Sequence, residues 1–189
     1  MSDAKGINVL AMCGSLRAGS YNRAALRAAI ELKPPGMMIE TADIGAFPLY
    51  NEDVRAQGFP PSVEKLRLQI AAADALLFVT PEYNYSMSGV LKNAIDWASR
   101  PPDQPFAGKP VAIMGAAAGM AGSARAQYDL RRSCVYLDMH PLNKPEVQIG
   151  HAQTKFDSSG RLTDDAARGF IRDMLVALEK WTQLIGPKN

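Results

Sequence analysis

Three short stretches of the sequence hold the groups best suited to chemistry. The first, Gly14-Ser15-Leu16-Arg17-Ala18-Gly19-Ser20-Tyr21-Asn22, follows an apolar run and opens a helical pattern. A helix N-terminus presents unpaired N–H groups and the positive end of its dipole, which makes it a ready anion site. Ser15, Ser20 and Asn22 add neutral hydrogen-bonding groups and Arg17 adds one guanidinium, a set that suits one terminal phosphate monoester. An ordinary strand-to-helix turn with a serine cap uses the same residues, although the anion reading is the stronger. After Gly19 stands Ser20 where a nucleotide-triphosphate loop needs lysine, and no G-x-G-x-x-G follows the apolar run. Both absences argue against those two nucleotide sites.

The second stretch is Thr80-Pro81-Glu82-Tyr83-Asn84-Tyr85-Ser86-Met87-Ser88-Gly89. Its two tyrosines and asparagine could form a flat wall for a planar heterocycle, with amide groups reading the edge. Alone, it reads better as a packed surface loop. Glu82 could act as general acid or base, but no partner lies near it in sequence. The third stretch, Gly115 to Gly122, is nearly without side chains. A ligand could press on such a backbone and meet its N–H groups; a flexible connector has the same composition.

Other chemistries fall away. His140 and His151 have no neighbouring cysteine, so no metal site is expected. Cys13 and Cys134 are far apart and form no C-x-x-C, and Cys13 reads as a packing residue. No G-x-S-x-G elbow is present. The 189 residues carry 21 basic and 19 acidic side chains, a net +2, too little for a nucleic-acid footprint. With 47% hydrophobic and 21% charged residues the composition is that of a globular protein. A polar tail leads straight into an apolar run and no stretch is long enough to span a bilayer, so the expectation is a cytoplasmic protein of one domain, residues 1–189.

The elements that must position the three stretches follow from periodicity. Residues 7–13 form an almost continuous apolar run, as in a strand buried on both faces. Ala24, Ala25, Ala28, Ala29 and Leu32 predict a helix stopped by Pro34-Pro35-Gly36. A second strand is expected over 37–44, a polar connection over 45–61 and a helix over 62–72. Residues 75–79 give the clearest strand, followed by a helix over 88–99, a strand over 109–114 and a helix over 123–137. A fifth strand is expected within 141–149. A final helix over 164–185 has Thr163 as its N-cap and Gly186-Pro187 as its stop. Alternating strands and helices predict a parallel sheet with helices on both faces. Ligands of such sheets bind beyond the carboxyl ends of the strands, where strand order reverses, and all three stretches fall there.

The motifs Gly-Ser-Leu-Arg-x-Gly-Ser-x-Asn at 14–22, Thr-Pro-Glu-Tyr-Asn-Tyr-Ser at 80–86 and Gly-Val-Leu-Lys-Asn-Ala-Ile-Asp-Trp at 89–97 resemble the NADPH-dependent FMN reductase family, and within it the bacterial chromate and quinone reductases. The likeness continues through Gly108-Lys109-Pro110-Val111 and 124–128 to about Glu146. The resemblance implies a flavodoxin-like α/β fold, a five-stranded parallel sheet in the order 2-1-3-4-5, holding FMN without a covalent bond. It assigns the FMN phosphate to the first loop, Ser15, Leu16, Arg17, Ala18, Gly19, Ser20, Tyr21 and Asn22. The isoalloxazine and ribityl region goes to Pro81, Glu82, Tyr83, Asn84 and Tyr85, with Ala117 approaching the ring through its backbone. Two departures stand out: Ser88 where many relatives have proline, and Ala116-Ala117 where serine or threonine is frequent.

The resemblance further implies hydride transfer from NAD(P)H to the flavin, then delivery of electrons to quinones, chromate or related acceptors at the same face, in ping-pong fashion. Such a reaction needs no protein nucleophile. A homodimer or homotetramer is expected, with no nucleic-acid or membrane partner, and Arg100 and Arg125 are candidate contacts to the nicotinamide cofactor. The rival reading is a flavodoxin-like electron carrier without turnover of its own, although such carriers are usually strongly acidic.

Overall fold

The computed structural model of the protein describes residues 6–186; the polar tail before them and Pro187, the expected stop of the last helix, lie outside that range. The chain runs β1 (Ile7–Cys13), α1 (Tyr21–Leu32), β2 (Met37–Ala42), α2 (Glu52–Arg55), α3 (Pro61–Ala72), β3 (Ala75–Val79), α4 (Gly89–Ala98), β4 (Pro110–Ala116), α5 (Ala124–Tyr136), β5 (His140–Pro141), β6 (Val147–Ile149) and α6 (Asp165–Ile185). The strands pair in parallel in the order β2-β1-β3-β4-β5, with β6 also on β4. This is the expected flavodoxin-like order.

The apolar runs divide by parity between two cores. Val9 and Ala11 of β1, Leu77 and Val79 of β3, and Ala112 and Met114 of β4 face one layer, where α1 and α6 supply Ala25, Leu26, Ile171 and Leu178. Leu10 and Met12, Leu76 and Phe78, and Val111 and Ile113 face the other, against Leu66 and Ile70 of α3, Leu91 and Ile95 of α4, and Leu130 of α5. Successive strand residues point to opposite faces, so a run apolar at every position is required when both faces are covered.

Four expectations need correction. The second strand stops at Ala42 rather than residue 44. The fourth strand continues through Gly115 and Ala116, so the third loop begins two residues later than its composition indicated. Gly115 pairs with Gln148 of β6 inside the strand, and glycine is required there because an added Cβ would collide with Thr80 O and Ser123 Oγ. The fifth strand is two short segments on the edge of β4, β5 and β6. Pro141 and Pro145 have no N–H to give, so an unbroken ladder cannot form across 141–149. The cap of α6 is Asp164, whose Oδ1 accepts from Ala167 N at 2.8 Å, whereas Thr163 donates its N–H to Lys155 O at 2.9 Å.

The polar connection contains α2, capped by Asn51, whose Oδ1 accepts from Asp53 N at 2.8 Å. Pro48 O accepts from Trp97 Nε1 (2.8 Å) and Asn93 Nδ2 (2.9 Å), while Asn93 Oδ1 accepts from Tyr50 N (2.8 Å). Two polar side chains of the Gly89–Trp97 motif therefore fasten this connection to α4.

Candidate functional site

The carboxyl ends of β1, β3 and β4 bring the three loops together. Gly14 N donates to Val79 O (2.9 Å) and Thr80 N donates to Met114 O (3.0 Å), so each loop leaves its strand already bonded to its neighbour. A side chain at Gly14 would collide with Ser88, the N-cap of α4, which brings the start of that helix against the first loop. Ser88, one of the two departures, earns its place as a cap: its Oγ accepts from Leu91 N at 3.3 Å.

In the first loop, Ser20 caps α1, its Oγ accepting from Asn22 N and Arg23 N, both at 3.2 Å. Asn22 is buried, and its side chain bridges to the end of β4: Nδ2 donates to Ala116 O and Oδ1 accepts from Ala116 N, both at 2.9 Å. Asn22 therefore fastens the loop, and its side-chain amide is committed. The amides of residues 15–19, by contrast, donate to no acceptor among the described residues. Leu16, Arg17, Ala18 and Gly19 are exposed and Ser15 is buried. Arg17 lies over the half-buried Tyr21 ring at 5.5 Å, and Tyr21 packs on Phe156. Free amides at a helix start, beside one guanidinium and two serines, are a donor set that fits a phosphate.

The second loop closes on itself. Tyr83 and Ser86 exchange backbone hydrogen bonds (3.1 and 3.0 Å) around Asn84 and Tyr85, both left-handed with φ of 49° and 68°. That turn leaves the Tyr83 and Tyr85 side chains exposed, while Pro81 beneath them is buried. Glu82 turns toward α5, where it pairs with Arg125. Ser86 Oγ donates to Asp129. In the third loop Ala117 N donates to Ile149 O (3.0 Å) and its carbonyl accepts from Ala152 N (3.1 Å). Ala118 and Gly119, exposed at the tip, are the neighbouring amides without a backbone partner among the described residues.

The candidate residues outside the loops are occupied elsewhere. Arg100 donates to Asp96 O (3.0 Å) and Ser99 Oγ (3.1 Å) and lies over Tyr50. The carbonyl of His140 accepts from Trp181 Nε1 at 2.9 Å. Burial pushes the Cys13 thiol up and takes Cys134 to about 11, so both are held as protonated packing groups. Among the described residues no cluster of His, Cys, Asp and Glu could hold a metal ion, and no helix is long and apolar enough to cross a membrane. The pairings Asn22–Ala116 and Glu82–Arg125 escape sequence reasoning, because no local pattern joins residues 94 and 43 positions apart.

The sequence signature described as NADPH-dependent FMN reductase matches residues 7–154. An NAD(P)H-dependent FMN reductase of Pseudomonas aeruginosa is 67% identical over 97% of this chain and 98% of its own length. An NAD(P)H:quinone oxidoreductase of Solanum tuberosum is 49% identical over 92% of this chain and 91% of its own. Among solved structures, the flavoenzyme NAD(P)H:(acceptor) oxidoreductase FerB of Paracoccus denitrificans superposes with a TM-score of 0.87 at 34% identity, covering 96% of this chain and 100% of that one. Fold, loop geometry and these likenesses agree, and the chain belongs to the NADPH-dependent FMN reductase family, with FMN as cofactor and NAD(P)H as co-substrate.

Proposed function

We propose that residues 1–189 form a single FMN-binding domain that takes electrons from NAD(P)H and passes them to quinones, chromate or related small acceptors. The observation that carries this reading is the set of free amides at 15–19, at a helix start on the sheet edge where strand order reverses. In it, those amides, Ser15, Ser20 and Arg17 hold the phosphate. Tyr21 orients Arg17, and Asn22 acts through its tie to β4. Pro81 to Tyr85 and the backbone beside Ala117 flank the planar ring. Bound there, FMN would supply the two-electron redox chemistry between NAD(P)H and the acceptor.

The chain's own task is then binding, orientation and access. Charge from Arg17 offsets the phosphate dianion, and charge-assisted bonds of this kind contribute about 1.5–3 kcal/mol each. Tyr83 and Tyr85 stand exposed beside the proposed ring site, and a ring held there would have a face accessible to nicotinamide and acceptor. Nicotinamide and acceptor use that side in turn, which gives parallel double-reciprocal lines; intersecting lines would refute a shared face. We further read the protein as a cytoplasmic homodimer or homotetramer. Tyr128, Val135 and Tyr136 stand exposed on α5, an apolar surface suited to a second copy. Sedimentation of a fully active monomer would reject that assembly.

The deciding experiment is the absorption spectrum of the purified protein, followed by anaerobic addition of NADPH or NADH. Flavin bands that bleach, with steady-state turnover on a quinone, support the reading; a colourless protein that takes up no FMN refutes it.

A further inference from the structure

Helix α5 lacks a cap of its own. Ser123 stands at its start in a left-handed conformation (φ 75°), and its hydroxyl accepts from Gln127 Nε2 at 3.2 Å without capping the helix. The acceptor for the first turn comes instead from another loop. Glu82 Oε2 accepts from Arg125 N at 3.0 Å and from Ala126 N at 3.3 Å. Its Oε1 takes Arg125 Nε and the terminal guanidinium nitrogen. Four donors thus converge on one carboxylate whose side chain is 8% exposed, and a carboxylate offers about four acceptor sites in all. No lone pair remains for a substrate proton, which removes Glu82 as general acid or base. Negative charge at this helix start is also favoured by the dipole. Arg125, held there, covers the Tyr85 ring at 3.8 Å from its centroid.

We propose that Glu82 is a positioning residue: its carboxylate fixes the loop after β3 against the start of α5 and, through Arg125, holds Tyr85, so that the two loops flanking the FMN ring stand at a set spacing before the cofactor arrives. This rests on the FMN reading above. A site ordered in advance binds more tightly because less ordering remains for the ligand to impose.

The test uses the full chain with E82A, E82Q and R125A. It combines FMN titration by flavin fluorescence, visible circular dichroism of the bound flavin, and amide hydrogen exchange of the FMN-free protein. E82A should weaken FMN binding about three- to tenfold, the ordering cost that binding would then have to meet, and less than the loss of a direct phosphate contact. It should also alter the dichroism and speed exchange at both 80–87 and 123–127. E82Q keeps an acceptor for the helix amides and should lie between E82A and wild type. R125A leaves the cap intact and should speed exchange at 80–87 only. Wild-type affinity and dichroism in E82A, or unchanged exchange at 123–127, would overturn the proposal. Should E82A not fold, E82Q decides: intermediate values support the clamp and wild-type values overturn it. A wild-type protein that takes up no FMN would sink the cofactor reading, while the exchange data would still judge the clamp.

Discussion

The first and second loops leave neighbouring strands of the same sheet edge, yet they are built oppositely. The first is fixed from below, by the Asn22–Ala116 bridge and the Ser20 cap, and leaves the amides of residues 15–19 free. The second spends its polar groups within the protein: Tyr83 on Ser86, Ser86 on Asp129, Glu82 on α5. In the proposed site, one loop contributes bonds to the ligand and the other contributes shape. Affinity should therefore concentrate in the first, and geometry in the second.

Asn22→Ala strikes hardest at that contrast, because it removes the foundation of the binding loop. Two buried backbone groups of Ala116 lose their partner, at about 1–3 kcal/mol each. Urea melting should show a clear drop in midpoint; an unchanged midpoint would mean the loop is supported elsewhere. Arg17→Ala tests the ligand side of the comparison. Arg17 is exposed and makes no ion pair among the described residues, so stability should hold while FMN binding weakens by about tenfold or more. Retained affinity would move the phosphate from this loop.

How far the sequence carried these assignments differs by scale. β1 and β3 were legible because burial on both faces demands apolar residues at every position, as in Ala75-Leu76-Leu77-Phe78-Val79. The end of β4 was hidden because Gly115 and Ala116 have the composition of a loop, and their strand pairing with β6 depends on residues far along the chain. The short helix α2 was masked in a polar run. Thr163 and Asp164 are both good caps, and only the tertiary bond from Thr163 N to Lys155 O decides between them. In the site, the loops themselves were visible, since glycine, serine and tyrosine past a strand are unusual. What each side chain does was not, because Asn22 and Glu82 look like ligand-binding groups and serve as ties.

Asn84→Ala sharpens the second loop's part. Asn84 tolerates its left-handed φ of 49°, whereas alanine does not, at about 1 kcal/mol. Stability should fall by that amount, with a smaller change in FMN affinity than Arg17→Ala causes. The smallest effect is expected from pH. Cys134, on the buried face of α5, is raised from 9.0 to about 11 in the folded protein. The folded state thus favours the neutral thiol, so this contribution is complete below pH 9 and is lost as pH rises through 11. Cys134→Ala should lower the starting stability by leaving a small cavity and flatten the alkaline decline; an equally steep decline would assign it to other groups.

The Asn22 bridge also sets an order on events during synthesis. Its partner lies 94 positions downstream, at the end of β4. A nascent polypeptide that has not yet delivered Ala116 to the sheet has the proposed phosphate turn in sequence but not in shape. On the proposed site, vitamin capture is a late step in maturation, and a ribosome-arrested fragment stopping short of residue 110 should remain unpigmented however much riboflavin phosphate surrounds it.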